Sequence, residues 1–336
     1  MSEKQTLVDA FGRRVTNLRI SLTDRCNFRC VYCMPPEGVP LLAKSRYLSV
    51  DEITRFVSVI GRLGVTRVRL TGGEPLLRKE VVEIVDSLRR VDSVYELSMT
   101  TNGSMLASLA TPLKKAGLDR LNISLDSLEP ERFRRVTLYS QFGRVRSGID
   151  AALAEGFPVK LNVVVLHGIS TNEIIDFARM ASDHNIEVRF LEFMPLCGTG
   201  WRPDLVYPIG RVREIIEQRF DLQELPRDDK PAQTFSIAGG GGKVGFIAPL
   251  SEPFCENCSR IRISADGRIR PCLFSDYEVS IGDLLRTHAS EERLVAAIRY
   301  AVANKPRGSQ FADEPFTSGR RDSEVSMGPN IRSIGG

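Results

Sequence analysis

The chain of 336 residues is 42% hydrophobic and 26% charged, the make-up of an ordinary soluble globular protein, long enough for one large domain or for a large and a small one. Its formal net charge of +4 is too small to argue for nucleic acid, and no apolar run approaches a membrane span, so neither partner is expected. Seven cysteines, six of them in two short-spaced sets, argue against a disulfide framework and for a reducing, cytoplasmic setting, and the first six residues lack the pattern of a secretory signal.

Residues 18–22 alternate apolar and polar and predict a strand. Directly after it stand Cys26, Cys30 and Cys33, spaced C-x-x-x-C-x-x-C. Four thiolates would close a four-iron cluster; three leave one iron open, which suits cofactor or substrate binding better than a structural staple. A zinc knuckle or a redox thiol set is the alternative, although zinc motifs usually pair two arms across a longer gap and no fourth ligand lies nearby. Residues 51–63 carry Ile53, Phe56, Val57 and Ile60 at helical spacing, with Ser49 or Asp51 as N-cap and Gly64 as the stop.

The unit then repeats. Strands are predicted at 66–71, 95–101, 120–126, 159–166 and 188–193, with helices at 81–90, up to 116, at 145–154 and at 173–184. Six strands alternating with helices ask for a parallel sheet with helices outside. Six units fall short of a closed eight-unit barrel, so the expected fold is α/β, a partial (β/α)6 TIM-like barrel, with a doubly wound sheet as the alternative. Either fold binds ligands at the carboxyl ends of its strands. There lie the cysteine loop, Gly72-Gly73-Glu74-Pro75, Asn102-Gly103, Ser124 and Asp126, and Glu192 and Met194. The paired glycines allow close backbone approach to a ligand, and Glu74 is expected to accept from an amine.

The character changes after Pro195. A Gly/Pro-rich loop at 197–204 precedes a helix at 209–220, and the polar, proline-bearing stretch 226–232 marks a boundary. The expected domains are therefore 1–225, the barrel, and 226–336, an α+β region. A hairpin is predicted at 234–247 around Gly239 to Gly242. Cys255, Cys258 and Cys272 form a second three-cysteine set, and the turn signal Asp266-Gly267 would fold Cys272 back beside Cys258. A second open four-iron cluster is expected; a zinc ribbon would need a fourth ligand. The same hairpin carries Arg260, Arg262, Arg268 and Arg270, and period two puts Arg260 and Arg262 on one face. That face suits either phosphate recognition or plain solvation. A final helix is expected at 291–303, and the polar tail reads by default as disordered. His167, His184, His288 and Cys197 are given no role.

The first cysteine set followed by Gly-Gly-Glu-Pro resembles the radical S-adenosylmethionine superfamily. Cys-Asn-Phe-Arg-Cys-Val-Tyr-Cys-Met-Pro, Thr-Gly-Gly-Glu-Pro-Leu-Leu-Arg, Thr-Thr-Asn-Gly, Leu-Asn-Ile-Ser-Leu-Asp-Ser-Leu, Phe-Leu-Glu-Phe-Met-Pro, Pro-Phe-Cys-x-x-Cys and the terminal Gly-Gly resemble, more narrowly, the GTP 3′,8-cyclase family of molybdenum cofactor biosynthesis, over nearly the whole chain. The resemblance implies two [4Fe-4S] clusters, held by Cys26, Cys30 and Cys33 and by Cys255, Cys258 and Cys272. It implies S-adenosylmethionine contacts at Tyr32, Gly73, Ser124 and Met194, and GTP contacts at Arg19, Arg69, Thr100, Lys160 and Arg260-Ile261-Arg262. A deoxyadenosyl radical would take hydrogen from ribose C3′, and the sugar radical would attack purine C8. Arg260, Arg262, Gly335 and Gly336 carry catalytic roles by the same resemblance, since the family's Gly-Gly tail enters the active site; the default of disorder is withdrawn for those two glycines. Implied partners are GTP, a reductant such as flavodoxin or ferredoxin, and a downstream cyclic pyranopterin monophosphate synthase, with a homodimer left open. Two rivals predict otherwise: a radical enzyme with an auxiliary cluster that modifies a peptide, and an iron–sulfur electron carrier.

Overall fold

Alternation along the predicted strands puts Leu18, Ile20, Val68, Leu70, Leu97, Met99, Leu121 and Ile123 on one face, and all are buried. In the computed structural model, which describes residues 6–309 apart from 36–37, 197–198, 200 and 228–230, this face is the outer one, covered by helices. Strands β1 (Asn17–Ser21), β2 (Arg67–Thr71), β3 (Glu96–Thr101), β4 (Arg120–Ser124), β5 (Val159–Val165) and β6 (Glu187–Glu192) lie side by side in chain order, each parallel to the next. Between them run α1 (Val50–Arg62), α2 (Val81–Arg89), α3 (Leu106–Lys115), α4 (Pro130–Thr137), α5 (Phe142–Ala154) and α6 (Ile174–His184). Of the two possible caps for α1, Ser49 is the one used: its Oγ accepts from Glu52 N at 3.2 Å and the Glu52 carboxylate accepts from Ser49 N at 2.7 Å. Ile53, Phe56, Val57 and Ile60 face the sheet, each worth about 1.5–3 kcal/mol of burial. Helix α4 lies between the strand expected at 120–126 and the helix expected at 145–154, where the sequence pattern predicts no element.

The partial barrel is thus the frame of the fold, and the C-terminal residues extend it. They form α7 (Ile209–Glu217), β7 (Leu222–Glu224), β8 (Gln233–Ile237), β9 (Lys243–Ile247), β10 (Arg260–Ile263), β11 (Arg268–Arg270), β12 (Val279–Ser280), α8 (Gly282–Arg286) and α9 (Glu291–Ala303). Both expected hairpins form, β8–β9 and β10–β11, with Gly239 and Gly267 at positive φ in their turns. One strand of each also docks parallel on an edge of the six-stranded run: β9 on β6, β10 on β1. The sheet order is β12-β11-β10-β1-β2-β3-β4-β5-β6-β9-β8-β7, so the boundary expected at 226 falls between two paired strands of one sheet. Docking covers edges that would otherwise be unpaired. It also brings the second cysteine set to the side of the first strand. Among the described residues no helix is long and apolar enough to cross a membrane.

Candidate active site

The inner face of the barrel carries the residues left over by the outward apolar alternation: Arg19, Arg69, Thr100, Asn122, Lys160 and Asn162. Two loops close its carboxyl end. Gly73 N donates to Thr23 O at 2.7 Å and Glu74 N to Arg25 O at 2.8 Å, which ties the loop after β2 to the backbone leading into Cys26. Glycine is required here, because a Cβ would lie 2.4 Å from Thr23 O at Gly72 and 2.2 Å from Arg25 O at Gly73; Gly72 also has φ +139°.

Glu74 does not face a ligand. It is 1% exposed and accepts from Leu76 N (3.0 Å), Thr101 Oγ1 (2.7 Å) and Asn102 N (2.7 Å), while burial lifts its carboxyl to about 7. The expectation that it binds an amine is corrected: its oxygens are used to lock the loop after β3. That loop in turn holds the cysteine loop, since Asn102 Nδ2 donates to Asn27 Oδ1 at 2.8 Å and lies 3.9 Å from Cys26 Sγ. Phe28 N also donates to Cys26 Sγ at 3.4 Å. On the other side α4 straps the loop: Arg29 N and Val31 N donate to Thr137 O and Val136 O, and Phe28 stacks on Tyr139.

Cys26, Cys30 and Cys33 line a chamber whose other walls include Tyr32, Gly73, Ser124 and Met194, so the structure gathers the sequence-derived cofactor contacts around the first cysteine set. Tyr32 OH donates to Asp126 Oδ2 at 2.6 Å, and Val164 N to Asp126 Oδ1 at 2.9 Å. Burial raises the Asp126 carboxyl to about 6. Glu192 is buried and accepts from Leu250 N, Ser251 N and Ser251 Oγ, anchoring the loop after β9.

A second chamber adjoins the first and shares Thr100, Asn162, Leu191 and Met194 with it. Cys255, Cys258 and Cys272 line it, together with Arg19, Arg69, Arg260 and Arg262. Buried cations brace the second cysteine loop: Lys305 Nζ donates to Cys258 O and Arg260 O, both at 2.7 Å, and Arg13 Nη1 to Cys255 O at 2.9 Å. Burial alone would raise the Cys258 thiol, but Arg260 and Lys305 outweigh it and bring it to about 6. None of the six cysteines is in a disulfide. Among the described residues, no three His, Cys, Asp or Glu side chains are grouped closely enough to hold a single metal ion.

The basic residues are aligned by strand register. Arg262, Arg19 and Arg69 are direct neighbours on β10, β1 and β2. Burial and the mutual repulsion of Arg19, Arg262 and Arg69 press Arg19 well below the usual arginine range; burial, with Arg120 and Arg189 nearby, brings Arg69 to about 9, and burial with Arg260 brings Arg262 to about 10. Arginine stays protonated, so these shifts express a cost rather than a neutral form. Arg69, Arg19, Arg189 and Arg260 also line a third, basic chamber with Lys160. Lys160 bonds Glu187 at 2.6 Å, and burial with Arg189 brings it to about 8. No carboxylate among the described residues pairs with Arg19. The other two hairpin arginines are neutralised, Arg268 and Arg270 both pairing with Glu278.

Ile261 points away from the chambers, 1% exposed in the core, which leaves only its backbone for a ligand. Gly335, Gly336 and Cys197 lie outside the described residues. Sequence reasoning passed over Arg189, Asn122 and Asn162, all on the inner face. The signal was there, since each is a polar residue at an inward position of the two-residue period.

Comparison with known proteins matches residues 20–181 to the Radical SAM superfamily and 186–311 to Molybdenum Cofactor Synthesis C. A protein of Moorella thermoacetica named GTP 3′,8-cyclase is 45% identical over 302 residues, covering 89% of this chain and 93% of its own length. Molybdenum cofactor biosynthesis protein 1 of Homo sapiens is 42% identical over 90% of this chain, which spans 48% of that longer protein. Among solved structures, Streptococcus suis SuiB bound to precursor peptide SuiA superposes with a TM-score of 0.61 at 15% identity, over 92% of this chain and 75% of that one, a likeness of fold. With both halves matched and a cyclase relative covered almost end to end, the chain belongs to the GTP 3′,8-cyclase family of the radical S-adenosylmethionine enzymes, which act in molybdenum cofactor biosynthesis.

Proposed function

We infer that the three connected chambers bind, in order, S-adenosylmethionine, the guanine nucleoside and the triphosphate of GTP, and that the product is 3′,8-cyclo-7,8-dihydro-GTP. The observation that carries this reading is the row Arg262–Arg19–Arg69 beside Lys160 and Arg189. Cations crowded inside a barrel are costly, and a polyanion offsets that cost: Lys160 and Arg189 share Glu187, and no described carboxylate pairs with Arg19. A peptide substrate would not need them.

The first chamber suits a [4Fe-4S] cluster with one open iron. Three thiols border it, and Phe28 N already donates to Cys26 Sγ as amides do to cluster thiolates. The second set has the same donor chemistry, with Arg260 Nη2 3.5 Å from Cys258 Sγ, and would hold a second cluster through Cys255, Cys258 and Cys272. When bound, the first cluster and S-adenosylmethionine supply a 5′-deoxyadenosyl radical by one-electron reduction. This chain's own residues do the rest. Gly73 offers backbone to the methionine end, while Tyr32, Ser124 and Met194 frame the adenosyl group. Thr100, on the wall between chambers, contacts substrate where the two meet. Arg260 and Arg262 bracket the nucleoside against the second set, with Arg19, Arg69, Lys160 and Arg189 on the phosphates. Gly335 and Gly336 are proposed to complete the site. A flavodoxin- or ferredoxin-type reductant and a downstream cyclic pyranopterin monophosphate synthase are the partners this chemistry asks for, in a cytoplasmic setting.

The test is GTP binding by equilibrium dialysis on reconstituted anaerobic protein. Arg262→Met should weaken binding at least tenfold while S-adenosylmethionine affinity stays within twofold. Unchanged GTP affinity would remove the arginine row from the substrate site.

A further inference from the structure

Two side-chain amides on neighbouring strands are left without a task. Asn122 of β4 is 0% exposed; its Oδ1 accepts from Arg120 Nη1 at 2.8 Å. Arginine only donates, so that bond fixes which end of the amide is oxygen and leaves Nδ2, which has no partner, as the free end. Asn162 of β5 is half-buried, and its Oδ1 also has no partner. Both line the second chamber, and Asn162 lines the first as well. Buried polar atoms are rarely left unpaired, and where they border a chamber the expected partner is a ligand.

Register places the pair more closely. Asn122 sits between Thr100 and Lys160, and Asn162 between Ser124 and Arg189. One row therefore runs from the seam of the two chambers to a phosphate-side cation, and the other from an adenosyl-side hydroxyl to a second such cation. What joins base to phosphates in a nucleotide is the sugar. The relatives' reaction is named for a bond between sugar position 3′ and base position 8, so the sugar has to stand where the two chambers meet.

We propose that Asn122 and Asn162 form the sugar subsite of the nucleotide, Asn162 Oδ1 accepting from a ribose hydroxyl and Asn122 Nδ2 donating to a sugar oxygen. This rests on GTP as the substrate of the second chamber. The pair fixes which face of the ribose is turned to the first chamber, and it separates ribonucleotides from deoxyribonucleotides. A site built to bond a hydroxyl rejects the analogue lacking it, because its own polar atom is then left unpaired.

The experiment measures binding of GTP, 2′-deoxy-GTP and 3′-deoxy-GTP to the full-length, cluster-reconstituted protein by anaerobic equilibrium dialysis. The unsubstituted protein should prefer GTP at least tenfold over one of the two analogues. In Asn162→Leu that preference should fall below threefold, with S-adenosylmethionine affinity unchanged within twofold. Asn162→Ala, which adds no bulk, covers the case in which leucine does not fit. Asn122→Leu keeps the shape, removes the donor and should weaken GTP about tenfold. Preference retained in both Asn162 variants overturns the proposal, as does equal binding of all three nucleotides by the unsubstituted protein. A fall in S-adenosylmethionine affinity with the preference intact assigns Asn162 to the adenosyl group instead. Unchanged GTP affinity in Asn122→Leu removes Asn122 from the subsite. If the unsubstituted protein binds no GTP, the substrate reading fails; if it binds GTP but the variants discriminate as before, only the sugar subsite fails.

Discussion

Replacing Arg19 by methionine should make the nucleotide-free protein more stable and abolish most of its stabilisation by GTP. Arg19 stands in register with Arg262 on one side and Arg69 on the other, on strands about 4.8 Å apart. Taking the guanidinium groups as about 6 Å apart at an effective dielectric of 20, each like-charged pair repels by about 3 kcal/mol. Water in the chamber and splaying of the long side chains absorb much of that. Replacing buried charges by apolar groups of similar shape typically gains about 1–4 kcal/mol. Methionine keeps most of the stem's packing. For a chain of this size a gain of 1–3 kcal/mol is a rise of about 1.5–4 °C in Tm. At a hundredfold excess over Kd, GTP adds about 2.7 kcal/mol to the unsubstituted protein. A variant that has lost a charged contact worth about 2–5 kcal/mol should show almost none of it. Thermal melts with and without GTP read both effects. A variant that melts several degrees lower without nucleotide, or that keeps the full GTP shift, would refute the idea that Arg19 is held at a cost for an anion.

Gly73→Ala places a Cβ 2.2 Å from Arg25 O, so the cysteine loop must shift; first-cluster iron and S-adenosylmethionine affinity should both fall at least tenfold, by iron analysis and dialysis. Glu74 is raised from 4.5 to about 7, so its contribution to stability is present below pH 4.5 and lost as pH rises through 7, about 3 kcal/mol in all. Glu74→Gln should flatten that part of the pH–stability profile, and it should also lower stability by about 2 kcal/mol, because its amide would face the Asn102 N–H. An unchanged profile would show that the carboxyl does not titrate there. Lys160 is lowered to about 8, and its charged form is the one that meets phosphate. GTP affinity should therefore fall up to tenfold per unit above pH 8, and Lys160→Met should remove that slope. A wild-type affinity flat from pH 7 to 9.5 would exclude Lys160 as a contact.

Much of the frame could be read from local pattern. Strands β1 to β4 alternate apolar and polar residues, α1 has both a cap and a stop, and glycine marks both hairpin turns. Helix α4 was missed because its eight residues, Pro130–Thr137, carry four charges and only two large apolar side chains, Phe133 and Val136, too few to set a period. Its role in strapping the cysteine loop follows from contacts with residues about a hundred positions earlier. Parallel docking of β9 on β6 and of β10 on β1 was invisible for the same reason: a hairpin announces its own partner through its turn, not the edge it will join. The cysteine sets and the arginine row were legible as chemistry. Glu74 was misread because an acid beside two glycines looks like a ligand, and only burial with three donors shows it to be a brace. Asn122, Asn162 and Arg189 needed the barrel's inner face to be followed strand by strand.

This chain's use of S-adenosylmethionine to act on GTP underlies the roles proposed for all three chambers. Its most direct test follows 5′-deoxyadenosine formation by the reduced, reconstituted protein under anaerobic conditions, with and without GTP, while GTP itself is quantified. GTP should strongly stimulate formation of 5′-deoxyadenosine and be consumed with it. Cleavage that ignores GTP, or none at all in protein whose iron content shows both clusters intact, would contradict this reading.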